Sequence, residues 1–125
     1  MDAWPSRATA LNAWQKAMDL AELVYRTTDA FPKQERYGLA SQARSAAASV
    51  PSNIAEGQGR RSTREFMHHL SIAHGSLCEL ETQMILARRL GFVDAAGGAE
   101  VLQSAGEVGR LVNGLYNAVR PRQEL

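Results

Sequence analysis

Apolar and small side chains recur at Phe66, Leu70, Ala73, Leu77, Leu80, Met84 and Ala87, a spacing of four and three residues that holds without a slip. Such a repeat returns to one face of an α-helix and predicts a helix over roughly 63–90 with a heptad-like seam. The same period runs through Trp14, Ala17, Met18, Ala21, Val24, Tyr25 and Thr28, through Ala40, Ala43, Ala47, Val50 and Ile54, and through Leu102, Ala105, Gly109, Val112, Tyr116 and Val119. Further helices are therefore expected over roughly 10–30, 34–58 and 95–119. The second seam is built of small residues, which lets its backbone approach its neighbours closely.

The breaks between these segments are short: AFPKQ around Pro32, GQGRRS from Gly57 to Ser62, and GFVDAAGG from Gly91 to Gly98. Short connections between long helices force antiparallel neighbours. No alternating stretch is long enough to compete as a strand. The expected fold is all-α, an antiparallel up-down-up-down four-helix bundle forming one domain over 1–125. Gly57 or Gly59 is expected to supply the left-handed residue that closes the second helix, and Ser62 with Glu65 has the spacing of a capping box that opens the third. Pro51 falls inside the second segment, where it removes one backbone donor, yet the apolar period runs through it. A kinked but continuous helix follows. Beyond the seams stand Leu20, Leu23, Val101, Val108, Leu111 and Leu115, an apolar surface wider than one bundle core needs, which predicts a homo-oligomer.

Composition narrows the function classes. The chain has 125 residues, 45% of them hydrophobic, and balances 14 Lys and Arg against 13 Asp and Glu. That suits one domain with one core and excludes a uniformly basic nucleic-acid coat, so any electrostatic partner must be read from local clusters. One cysteine, Cys78, allows no internal disulfide, and the first residues lack the pattern of a signal peptide. A cytoplasmic location is expected, with no membrane partner, since no apolar run approaches the roughly 18 to 20 residues of a span.

Catalytic chemistry finds little to stand on. Glu65 and His68 form one Glu-x-x-His element, whereas a di-metal bundle needs two such elements and two further carboxylates. His74 lies five residues past His69, off its face. Cys78 has no catalytic partner pattern and reads as an inert, partly buried thiol. The glycines at 57 and 59 lack the strand and Lys-Ser/Thr of a nucleotide loop. The expectation is no enzyme, no metal and no cofactor.

Folding the second and third helices into a hairpin pairs residues whose numbers sum to about 123, which sets Arg44 opposite Glu79 and places Asn53 and Glu56 toward the third helix. These four read as structural or interface positions. The arginines carry the strongest charge signal. An up-down-up-down path gathers Arg7, Arg60, Arg61, Arg64, Arg120 and Arg122 at one end, answered there by Asp2, Glu65 and Glu124. A local excess of arginine attracts phosphate backbones. Arg60, Arg61, Arg64, Arg120 and Arg122 are the candidate nucleic-acid contacts.

The runs WQKAMDLAELVY, FPKQERYGLASQARSAAASVPSNIAEGQGRRSTREF and LSIAHGSLCELETQ give a resemblance that periodicity alone does not. Over residues 11 to about 119 the chain resembles the 23S rRNA intervening-sequence proteins, four-helix bundle proteins with no established catalytic activity. The resemblance implies a homopentamer and a kinship with the accessory proteins of diversity-generating retroelements, basic bundles that bind nucleic acid and a reverse transcriptase. The expected function is a non-enzymatic oligomeric module that binds RNA or DNA through its basic end; the alternative is a protein-binding scaffold.

Overall fold

In the computed structural model, which describes residues 7–120, four helices run α1 Arg7–Thr28, α2 Leu39–Gln58, α3 Thr63–Arg89 and α4 Ala95–Val119. Each packs on two neighbours: α2 and α4 lie against both α1 and α3. The bundle expected from the period is present. Its antiparallel path is visible along every seam. Arg44 of α2 bonds residues at the end of α1, while Ile54 and Gln58 share a groove with Arg7 and Trp14 at its start. Asn53 and Ser49 meet His69 and Ser76 across the next seam, and Leu70 and His74 flank Val112 and Tyr116 across the last.

Local chemistry sets the ends. Ser62 Oγ accepts from the Glu65 amide at 3.1 Å and opens α3, but the carboxylate of Glu65 takes the Ser62 hydroxyl proton, also at 3.1 Å, in place of the backbone donor a full capping box uses. Asp94 Oδ1 caps α4 by accepting from Gly97 N–H at 2.7 Å. The second helix starts at Leu39, one residue before its seam and later than the expected start near 34. Residues Lys33–Glu35 form a 3₁₀ turn, and Glu35 Oε1 accepts from Leu39 N–H at 3.1 Å, a side-chain cap that makes Leu39 the first helical residue.

The left-handed closure lies elsewhere than expected. Gly59 ends α2 at φ −78°, right-handed, and among the described residues the glycine with positive φ is Gly91 at 78°. There Phe92 N–H reaches back five residues to the Ala87 carbonyl at 2.9 Å, closing α3. Gly57 is a buried helical residue whose missing side chain serves packing. A Cβ on it would stand 2.8 Å from Phe66 Cδ1 and 3.0 Å from His69 Cβ.

All seven seam residues of α3 are buried, as are Ala40, Ala43, Ala47, Val50 and Ile54 of α2. Pro51 is buried within an uninterrupted α2, as the apolar period through it requires. The seams of α1 and α4 turn out rotated. Ala10, Ala13, Ala17, Leu20, Val24 and Thr28 form the core face of α1, and Met18 and Tyr25, expected inside, are 39% and 47% exposed. In α4 the core face is Val101, Ala105, Val108, Val112, Leu115 and Val119. Leu20, Val101, Val108 and Leu115, read from the sequence as surplus apolar surface, therefore belong to the monomer's own core, and Leu23 and Leu111 pack half-buried against it. That basis for self-association falls. The exposed large apolar side chains are others: Leu11, Met18 and Tyr25 on α1, Tyr37 before α2, and Ile72, Ile85, Leu86 and Leu90 on or just past α3.

Candidate nucleic-acid interface

One side of α2 carries Ser49, Asn53, Glu56 and Gly57, spaced to share a face. That face meets α3. Asn53 Nδ2 donates to the Ser49 carbonyl at 2.9 Å and to Ser49 Oγ at 3.0 Å, and Ser76 Oγ donates to Ser49 Oγ at 2.8 Å. With its nitrogen held by Ser49, Asn53 turns Oδ1 toward His69, whose Nδ1–H donates to it at 3.0 Å. The other ring nitrogen of His69 stands 3.5 Å from Glu56 Oε2, an ion pair when the imidazole is protonated, and Arg60 Nη2 bonds the same carboxylate oxygen at 2.9 Å. A continuous polar string thus runs from the α2–α3 turn into the helix interface.

Arg44 does not join it. The guanidinium donates from Nε to Thr28 Oγ1 at 2.8 Å and from Nη2 to the Tyr25 carbonyl and Asp29 Oδ1, and it lies 4.8 Å from the centre of the Tyr25 ring. It caps the last turn of α1, where a cation complements exposed carbonyls. Its expected partner Glu79 is exposed on α3. The reason is angular: Arg44 precedes Asn53 by nine residues, half a turn round the helix at 100° per residue, so both cannot face α3.

At the turn end, Arg7, Arg60, Arg61, Arg64 and Arg120 are all exposed. Glu56, left out of the charge reading made from the sequence, neutralises Arg60. Arg7, Arg61, Arg64 and Arg120 make no ion pair among the described residues, and Arg122 lies outside them. Beside them runs an open, mostly apolar groove between the first two turns of α1 and the last of α2. Its walls include Arg7, Leu11, Trp14, Ile54, Ala55 and Gln58. Gln58 Oε1 is cut off from solvent with no hydrogen-bond partner, a condition that costs about 1 to 3 kcal/mol.

The sequence model of the 23S rRNA-intervening sequence protein matches residues 9–114. The chain belongs to the 23S rRNA-intervening sequence protein family. A crystal structure of a protein of unknown function from the S23 ribosomal protein family of Bacteroides thetaiotaomicron superposes with a TM-score of 0.79 at 18% identity, covering 87% of this chain and 98% of the other. At that identity the likeness concerns the fold. No curated protein matches. No enzymatic family is indicated by these likenesses.

In this 23S rRNA-intervening sequence protein, the stretch SVPSNIAEGQGR that carries the family resemblance is the α2 surface just described, with Ser49, Asn53, Glu56 and Gly57 turned to α3. Its polar members build the helix interface. The roles of His69, Ser49 and Ser76 are not legible in the sequence, because one histidine and two serines spread over two helices have no motif spacing. Trp14, read as core, packs half-buried against the core and also walls the groove. Cys78, read as partly buried, is exposed, with Sγ 3.8 Å from His74 Nε2. Among the described residues no three His, Cys, Asp or Glu side chains gather as a metal cluster, and no helix is long and apolar enough to cross a membrane.

Proposed function

We propose that this protein is a non-enzymatic, self-associating helical-bundle module that holds RNA or DNA through the phosphates at its arginine end. The observation that carries the reading is the gathering of five exposed arginines at one end, opposed among the described residues by two carboxylates, Glu56 and Glu65, each already engaged locally. Arginine forks match phosphate oxygens and keep their charge at any physiological pH. Affinity is then sequence-independent and falls with salt, the logarithmic slope near 0.7 per phosphate contact on single strands. Fluorescence anisotropy with labelled RNA and DNA across a salt series tests this. Reversing Arg61, Arg64 and Arg120 to Glu should flatten the slope by about two to three contacts while helicity stays intact. Identical binding by that variant, or no binding by wild type near physiological salt, rejects the reading.

A second reading, a protein-binding scaffold, draws on the exposed stripe of Leu11, Met18 and Tyr25, which recur every seven residues on α1. Retention of a protein partner by the arginine variant and its loss on Met18→Glu would favour it.

A further inference from the structure

We propose that the groove between the start of α1 and the end of α2 is a slot for an unpaired base, so that the ligand of the arginine end is a single-stranded nucleic acid; this rests on the nucleic-acid reading above. Several features converge on that occupant. Trp14 offers an aromatic side chain within apolar walls formed by Leu11, Ile54 and Ala55, and every base has a π-face that stacks on such a surface. Gln58 lines the same groove, and its Oε1 lacks a partner. A base edge, which sets N–H donors beside acceptors, supplies the missing donor once the Gln58 amide turns outward into the groove. Arg7 stands on the groove wall, and Arg61 follows Gln58 by three residues, so positive charge borders the slot where the backbone of an inserted nucleotide must pass. An aliphatic occupant would use the walls and leave both the charge and the amide unanswered.

Duplex does not meet these terms, because its bases are stacked and paired. RNA loops and ends are the common source of splayed, unpaired bases, and their recognition by aromatic stacking is the general pattern. The slot reads no long sequence. It selects strandedness, while the arginines supply affinity.

The test uses the full chain with Trp4→Phe, so that Trp14 is the sole tryptophan. Single-stranded RNA of about ten nucleotides should change Trp14 emission on binding, and a duplex of the same sequence should not. By anisotropy near physiological salt, an oligomer with the same phosphates but abasic sites should bind about tenfold more weakly. Trp14→Leu and Gln58→Leu should each lose several-fold in affinity for the intact strand, with the salt slope unchanged and helicity retained; Gln58→Leu carries the case if Trp14→Leu unfolds. Equal affinity for intact and abasic strands, tighter binding of duplex, or unchanged Trp14 emission at saturation overturns the slot and leaves the phosphate reading standing. Failure to bind any nucleic acid overturns both.

Discussion

Asn53 joins the two central helices with a single amide, its nitrogen held by Ser49 and its oxygen taking the His69 N–H. Asn53→Ala strands the His69 donor in a site where the ring is mostly buried, and the expected loss is about 1 to 3 kcal/mol. Arg60→Ala removes an exposed i,i+4 ion pair to Glu56 and should cost under about 0.5 kcal/mol. Urea unfolding compares the two directly. If both midpoints move equally little, the polar string does not hold the hairpin together. At this scale the sequence was half legible. The spacing of Ser49, Asn53 and Glu56 shows that they share a face, but which α3 side chain reaches them depends on a register finer than a turn. Arg44 was legible in principle, since nine residues place it opposite Asn53, on the side of α2 that caps α1. The groove at Trp14 and Gln58 was not, because its walls come from two helices whose contributing residues lie forty or more positions apart in the chain.

Helices differ in how plainly their pattern fixes their rotation. On α3 one phase runs unbroken from Phe66 to Ala87, while the neighbouring Met67, Ile72, Ile85 and Leu86 form no rival repeat of that length. On α4 the apolar residues come as neighbours, Val101 with Leu102, Leu111 with Val112 and Leu115 with Tyr116, and α1 has the same ambiguity at Val24 with Tyr25. Two stripes about 100° apart then fit nearly as well, and packing against α3 decides between them. Glycines sort by the same local geometry. Gly57→Ala gains helix propensity of up to about 1 kcal/mol but drives a Cβ into Phe66 and His69, and overpacking of that kind costs about 1 to 3 kcal/mol. Net destabilisation is expected. Gly75, exposed on α3 with nothing within 4 Å of a built Cβ, is the control: Gly75→Ala should raise stability by about 0.5 to 1 kcal/mol. Thermal melts with opposite signs for the two substitutions are the predicted result, and a stabilising Gly57→Ala would mean that α2 and α3 are not in such close contact.

For the molecule as a whole, the unexplained surface is apolar. Leu11, Met18 and Tyr25 mark one ridge on α1, 50%, 39% and 47% exposed, and Ile72 and Leu86, 39% and 44% exposed and fourteen residues apart, mark another on α3. Fourteen residues is about four helical turns, so Leu11 and Tyr25 share a side of α1 with Met18 between them, and Ile72 and Leu86 share a side of α3 with the charged Glu79 between them. Isolated apolar side chains on a surface need no account, but aligned ones on two different helices offer a pair of faces through which identical subunits can associate. Because the ridges lie on different helices, a contact between unlike faces is heterologous, and such contacts close into rings when the rotation permits. A ring also repeats the arginine end once per subunit, which raises the number of phosphates one strand can engage and steepens its salt dependence. We therefore expect light scattering at micromolar protein to return a multiple of 13.6 kDa, five subunits being the number the family resemblance implies. Met18→Glu with Leu86→Glu should yield monomer of unchanged helicity, since both side chains stand outside the core, and should shrink the salt slope for RNA. A wild-type mass of one subunit would sink the assembly. A monomeric double variant that keeps the full wild-type salt slope would show instead that one bundle end suffices for the nucleic acid.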